Sequence, residues 1–136
     1  MKRYLLTCFA FAVATFATQA MSHFVINKDH YASVPHLRPE PIFALGISSM
    51  LIEAAILAHL YPRLAGSRRT LGTALAFSWL AGSFLVSYIA LAEAAKYRVP
   101  AILPWIMVEL GAGFVQFTLF GLLLAAIHRE PAALKS

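Results

Sequence analysis

Charge is what this sequence has least of. Only 12% of its 136 residues are Asp, Glu, Lys or Arg, against roughly a quarter in a soluble domain. With 60% of the residues apolar and gathered in long runs, that deficit excludes an ordinary water-soluble fold. Cysteine occurs once, as Cys8, so neither an intrachain disulfide nor a cysteine-based metal site can form. Cys8 lies inside an apolar run and reads as a small hydrophobe. Leu5-Leu6-Thr7 precedes it, but the apolar segment ahead of it is too short for a lipoprotein cleavage site. There is no phosphate-cradling glycine motif, no nucleophile elbow and no HExxH. Gly111-Ala112-Gly113 sits within an apolar helix, and the serines have no base beside them. These absences leave little with which to build an enzyme. The net charge is +5, yet the basic residues lie between the apolar runs. They therefore read as topology signals and lipid-headgroup contacts, not as a nucleic-acid footprint.

What is present is four apolar segments, at residues 4–26, 41–61, 70–94 and 101–127. A span needs about 20 residues at ~1.5 Å each. The pattern predicts an all-α fold, a four-helix transmembrane bundle forming a single domain with short loops and one longer extracytoplasmic loop. The first segment follows Met1-Lys2-Arg3, and small residues at Thr18 and Ala20 would suit signal-peptide cleavage. Its apolar run is long for a signal core, so we read it as an uncleaved span, with Ala10, Ala14 and Ala17 on a face open to a neighbouring helix. Pro35, Pro39 and Pro41 argue against a continuous helix in the connection from Asn27 to Glu40. Pro62 and Gly66 are expected to end the second span, and Pro100 and Pro104 to open the fourth.

Orientation follows from Lys and Arg. Lys2, Arg3, Arg63, Arg68, Arg69, Arg129 and Lys135 fall on one side; Lys28, Arg38, Lys96 and Arg98 fall on the other. The richer side is expected to be cytoplasmic, which places both termini inside a bacterial inner membrane. Tyr4 and Tyr61 then sit at the inner interface, Tyr97 and Trp105 at the outer one.

Two acids lie deep in the spans. Glu53 is roughly 18 Å and Glu109 roughly 13 Å from the outer boundary at ~1.5 Å per residue. An ionisable group at such depth needs a partner, a proton or a water-filled cavity, and no Lys or Arg lies within any span. At ~100° per residue, Glu53 shares a face with Gly46, Ser49, Leu57 and Leu60. Glu109 shares one with Gly113, Gln116 and Phe120, and the third span offers a small stripe of Gly72, Ala76, Ser83, Ser87, Ala90 and Ala94, interrupted by Trp79. The expected site is therefore Glu53, Glu109, Gln116, Ser49, Ser83 and Ser87. Its two carboxyls should be neutral, on facing helix surfaces, and bonded to Ser83, Ser87, Gln116 or each other. Glu93 reads as an interfacial acid near Lys96 or Arg98.

The histidines offer weaker chemistry. His23, His30 and His36 lie at or near the outer surface with spacings of seven and six residues, which match no compact metal motif. They remain the residues that a zinc or copper ion would use. A haem would need His59 and His128, the one histidine pair at a common depth; His59 otherwise reads as interfacial packing. No cofactor is required by the pattern.

The stretches from Pro41 to Arg63, with its SMLIEAAILAHLYPR core, and from Ala92 to Val99, AEAAKYRV, resemble the small four-span inner-membrane proteins widespread in bacteria, a group without an assigned activity. The resemblance implies fold and location, and transfers no catalytic residue. The chain differs from the small multidrug exporters, which carry an acid in the first span. Three functions follow: a non-enzymatic accessory or assembly subunit with the acids as internal clamps; a proton-coupled small-solute carrier or channel using Glu53 and Glu109; and a metal protein or membrane enzyme on the outer histidines. In each the partners are the lipid bilayer and a homo-oligomer or larger membrane complex.

Overall fold

A computed structural model describes residues 1–35, 37–38, 40–67 and 69–129. Its regular elements are helical. Helix α1 (Lys2–Met21) continues through a π-helical turn, Ser22–Ile26, into the short α2 (Lys28–Ala32). Then come α3 (Phe43–Leu64) and α4 (Leu71–Ser87), which runs through a second π-helical stretch, Tyr88–Glu93, into α5 (Ala94–Lys96). Helix α6 (Ile102–His128) is the last. Four helical runs, 2–26, 43–64, 71–96 and 102–128, are long and apolar enough to cross a membrane. The fold is an all-α bundle of four such helices, and the protein is a polytopic membrane protein.

Apolar composition makes these helices but does not say how they pack, because lipid is as apolar as a leucine side chain. Close approach and hydrogen bonds decide it. Helix α6 is the central element, with α4 on one side and α1 on another; α3 rests on α1 and barely touches α4. Between α4 and α6 the contact is made through glycines. A methyl group at Gly113 would lie 2.5 Å from Val86, and one at Gly82 would lie 2.6 Å from Phe117. The hydroxyl of Ser78 donates to the Phe117 carbonyl across the same seam. The core beside it is aromatic: Phe11 meets Phe120 edge-on at 5.1 Å and Phe117 at 6.1 Å.

The packing faces differ in part from those expected. In α1 the buried residues are Thr7, Ala10, Phe11, Ala14 and Thr18, while Ala17 is exposed. In α4 the buried row is Ala74, Ser78 and Gly82; Gly72, Ala76, Ser83 and Ser87 are exposed. Two small-residue rows exist on that helix, and Ser78, with its bond to α6, marks the one in contact.

Helix ends also shift. Pro62 does not stop α3, which continues to Leu64. Pro62 removes one backbone N–H bond, and only two helical residues follow it; Arg63 Nη1 donates to the His59 carbonyl at 2.7 Å. Gly66, at φ +56°, supplies the left-handed residue of the following turn. Thr70 and Thr73 form a capping box at the start of α4. The connection 27–40 is not simply a surface loop. Its first part is α2, which folds back on the bundle and buries Tyr31 and Val34 against Ala94 and Trp105.

Candidate functional site

Helix α3 is anchored by only half its length. Its buried residues, Ala54, Leu57, Ala58 and Tyr61, all lie in the C-terminal half. There Tyr4 Oη donates to the Ala55 carbonyl at 3.3 Å and Cys8 Sγ to the Ala54 carbonyl at 3.7 Å. Residues 43–49 are all exposed. With α3 and α4 scarcely in contact, a cleft of about 980 Å³ opens between them, with α1 and α6 behind it. Glu53 and Glu109 both line this cleft, with Ser49, Ser87, Gln116, Thr15 and Gln19.

The two carboxyls are held differently. Glu109, on α6, is 7% exposed and accepts a 2.8 Å hydrogen bond from the Tyr31 phenol. Glu53, on α3, is half-buried and accepts a 3.2 Å bond from Ser49, one turn back on its own helix. Helix α3 packs mainly on α1 and meets α6 only towards its C-terminal end, where Tyr61 lies edge-on to His128, so the acids share a cleft without facing each other across a closely packed helix pair. Ser83 is not part of it: it is exposed and lines a separate groove with Trp79 and Phe114. Ser87 is in the cleft, but its hydroxyl donates to its own helix at the Phe84 carbonyl. Gln116 bonds neither acid. Its Nε2 donates to Thr15 at 3.0 Å and its Oε1 accepts from Gln19 at 2.8 Å, tying α6 to α1.

A second cavity, about 800 Å³, lies above the cleft at the α2 end. It is lined by His23, Lys28, Tyr31, Arg38, Glu93 and Trp105 among others, and it shares Gln19, Ile89 and Glu109 with the cleft. Glu109 thus stands in the partition between the two spaces. Tyr31 covers it, and its ring is fixed on several sides. His23 stacks on that ring at 3.7 Å with planes 10° apart, and Trp105 and His30 meet it edge-on. Burial pushes the Tyr31 phenol well above its ordinary range; the Ser22 hydroxyl beside it opposes this, and the Glu109 charge adds to it.

Both π-helical stretches border this region. A π turn leaves backbone groups displaced from the α pattern, and it often marks a functional site. Here Trp105 Nε1 donates to the Ile89 carbonyl of one stretch at 3.3 Å, and Asn27 closes the other through the Ser22 carbonyl and hydroxyl.

Among the described residues the histidines do not assemble as a ligand set. His23 Nδ1 pairs with the Gln19 carbonyl at 3.1 Å, and His30 packs near Trp105; His36 lies outside the described residues. Among the described residues no three His, Cys, Asp or Glu side chains converge. His59 is exposed on α3, whereas His128 is buried, its Nε2 3.0 Å from Thr7 Oγ1 and its ring edge-on to Tyr61. The two are not presented as a haem pair. The sequence pattern does not single out Tyr31, Thr15 or Gln19. Tyr31 is 78 residues from Glu109, and the available signal was a tyrosine beside two histidines in the one connection long enough to fold back.

Fold and site together define a polytopic helical membrane protein with a lateral cleft holding two carboxyls. In comparisons with known protein families, curated proteins and solved structures, nothing matches this chain.

Proposed function

We propose that this chain is a small carrier of the bacterial inner membrane, both termini cytoplasmic, that takes a lipophilic cation into the cleft between α3 and α4 in exchange for a proton. The supporting observation is the setting of Glu53. An acid kept as a clamp would bond a neighbouring helix, as Glu109 does through Tyr31. Glu53 bonds its own helix and faces the cleft. A carboxyl at membrane depth is either neutral or paired with a cation, so uptake of a cation releases the proton it replaces. Glu109 lines both the cleft and the cavity at the α2 end and stands between them. Towards the other end, Leu57, Tyr61, Phe120 and Leu124 fill the core. A core filled towards one end suits a carrier better than an open pore.

The accessory-subunit reading keeps one observation of its own: the exposed outer half of α3 could receive a helix of a larger complex or of a second copy. The two readings separate in proteoliposomes. A lipophilic quaternary ammonium ion, which has no neutral form in which to carry protons across the lipid, should dissipate a pH gradient in liposomes bearing the protein, Glu53→Gln should abolish this, and Glu109→Gln should diminish it. Unchanged flux in both variants removes the carrier reading. Co-purification of a partner that is lost on substituting exposed α3 residues would favour the accessory role.

A further inference from the structure

The opposite end of the bundle carries a different cavity. Helix α4 begins there and α6 ends there, so the antiparallel pair brings Arg69, just before α4, beside Arg129, just after α6. A cavity of about 750 Å³ lies at this junction, walled by the two arginines, Ser67, Thr70 and the apolar Leu71 and Ala126. Its shape has a local cause. Gly66 turns the chain through a left-handed residue, and Arg69 Nε donates back to the Gly66 carbonyl at 3.3 Å. That bond uses one of the five guanidinium N–H groups and half-buries the side chain in the wall. No acidic side chain lines the cavity among the described residues.

We propose that this cavity binds the phosphate of an anionic phospholipid headgroup. Two guanidiniums present paired N–H donors suited to phosphate oxygens, and the Ser67 hydroxyl supplies another. The first turn of α4 adds its positive dipole end, and the last turn of α6 opposes it with its carbonyls. Two full charges outweigh that opposed pair of half charges. A lipid is favoured over free phosphate by the walls. Leu71 is 53% exposed and Leu122, one turn before Ala126, is 45% exposed. They continue the cavity into a lipid-facing surface on which acyl chains can lie. Basic pockets between spans at a membrane surface are the usual seats of such headgroups.

The test is native mass spectrometry of the full chain released from nanodiscs that mix phosphatidylcholine with phosphatidylglycerol. The expected result is retention of phosphatidylglycerol well above its bulk share. It should fall about five-fold with Arg129→Gln and further with Arg69→Gln added, about a factor of five per arginine. Arg63→Gln, at the same end but outside the cavity, should change nothing. Equal retention of the two lipids, or equal loss with Arg63→Gln, would overturn the site, since either means general surface charge. A third arm adds inorganic phosphate to the protein in detergent. If phosphate alone binds with the same arginine dependence and displaces the lipid at millimolar concentration, the lipid assignment is wrong. If the double variant does not fold, the exposed Arg129→Gln alone decides.

Discussion

Adding a single methyl group at Gly113 tests how the central helix pair is held. A Cβ there would lie 2.5 Å from Val86 Cγ2 and 2.8 Å from Cγ1, well inside contact distance. Val86 cannot easily turn aside, because a valine in a helix has one strongly preferred rotamer. Helices α4 and α6 must therefore part, or the backbone must shift, at a cost of about 1–3 kcal/mol for overpacking. In equilibrium unfolding in mixed micelles, Gly113→Ala should lose that amount of stability. Val86→Ala removes both offending carbons. The double variant should therefore recover about 1–2 kcal/mol relative to the sum of the single changes, a coupling of the size expected for side chains in contact. Gly113 also lines the cleft, one turn from Glu109. The single variant should thus disturb cation uptake, and the double should restore it. A neutral Gly113→Ala, or one that Val86→Ala does not rescue, would refute close packing of α4 on α6.

Three further predictions concern the site and its surroundings. Tyr31 should ionise above the ordinary phenol value of about 10, because burial disfavours the phenolate. A group whose pKa is raised in the folded state stabilises fully below its unfolded value and loses that contribution as pH rises towards the folded one. Stability should therefore fall above about pH 10. Tyr31→Phe should remove both this loss and the latest-rising part of the phenolate absorbance in an alkaline titration. Gln116→Leu breaks two bonds from α6 to α1 and should lower stability by about 1–2 kcal/mol, using values measured for hydrogen bonds between membrane helices. Ser83→Ala, outside the cleft, should change neither stability nor uptake.

The spans were legible because a bilayer enforces about 20 apolar residues per crossing, and the depth of Glu53 and Glu109 follows from counting along them. The contacts were less legible. In α4 the exposed row of Gly72, Ala76, Ser83 and Ser87 is as small as the buried row of Ala74, Ser78 and Gly82. When one solvent is lipid, hydrophobicity does not choose between them. Proline was a weak guide at Pro62, where the helix had only two more residues to run. The partner of Glu109 was hidden because it depends on α2 folding back, and α2 is placed by a π-helical turn that leaves no plain mark in the composition. The partial anchoring of α3, which opens the cleft, belongs to packing on α1 and not to the sequence of α3 alone.

Whether Glu53 and Glu109 serve one space is most directly measured by labelling with a lipophilic carbodiimide, read residue by residue in a mass spectrometer. Glu53, half-buried and facing the cleft, should react first; Glu109, 7% exposed and covered by Tyr31, should react slowly and faster in Tyr31→Phe. A lipophilic amine should protect both with the same concentration dependence. An unreactive Glu53, or protection of one carboxyl without the other, would contradict a shared cleft.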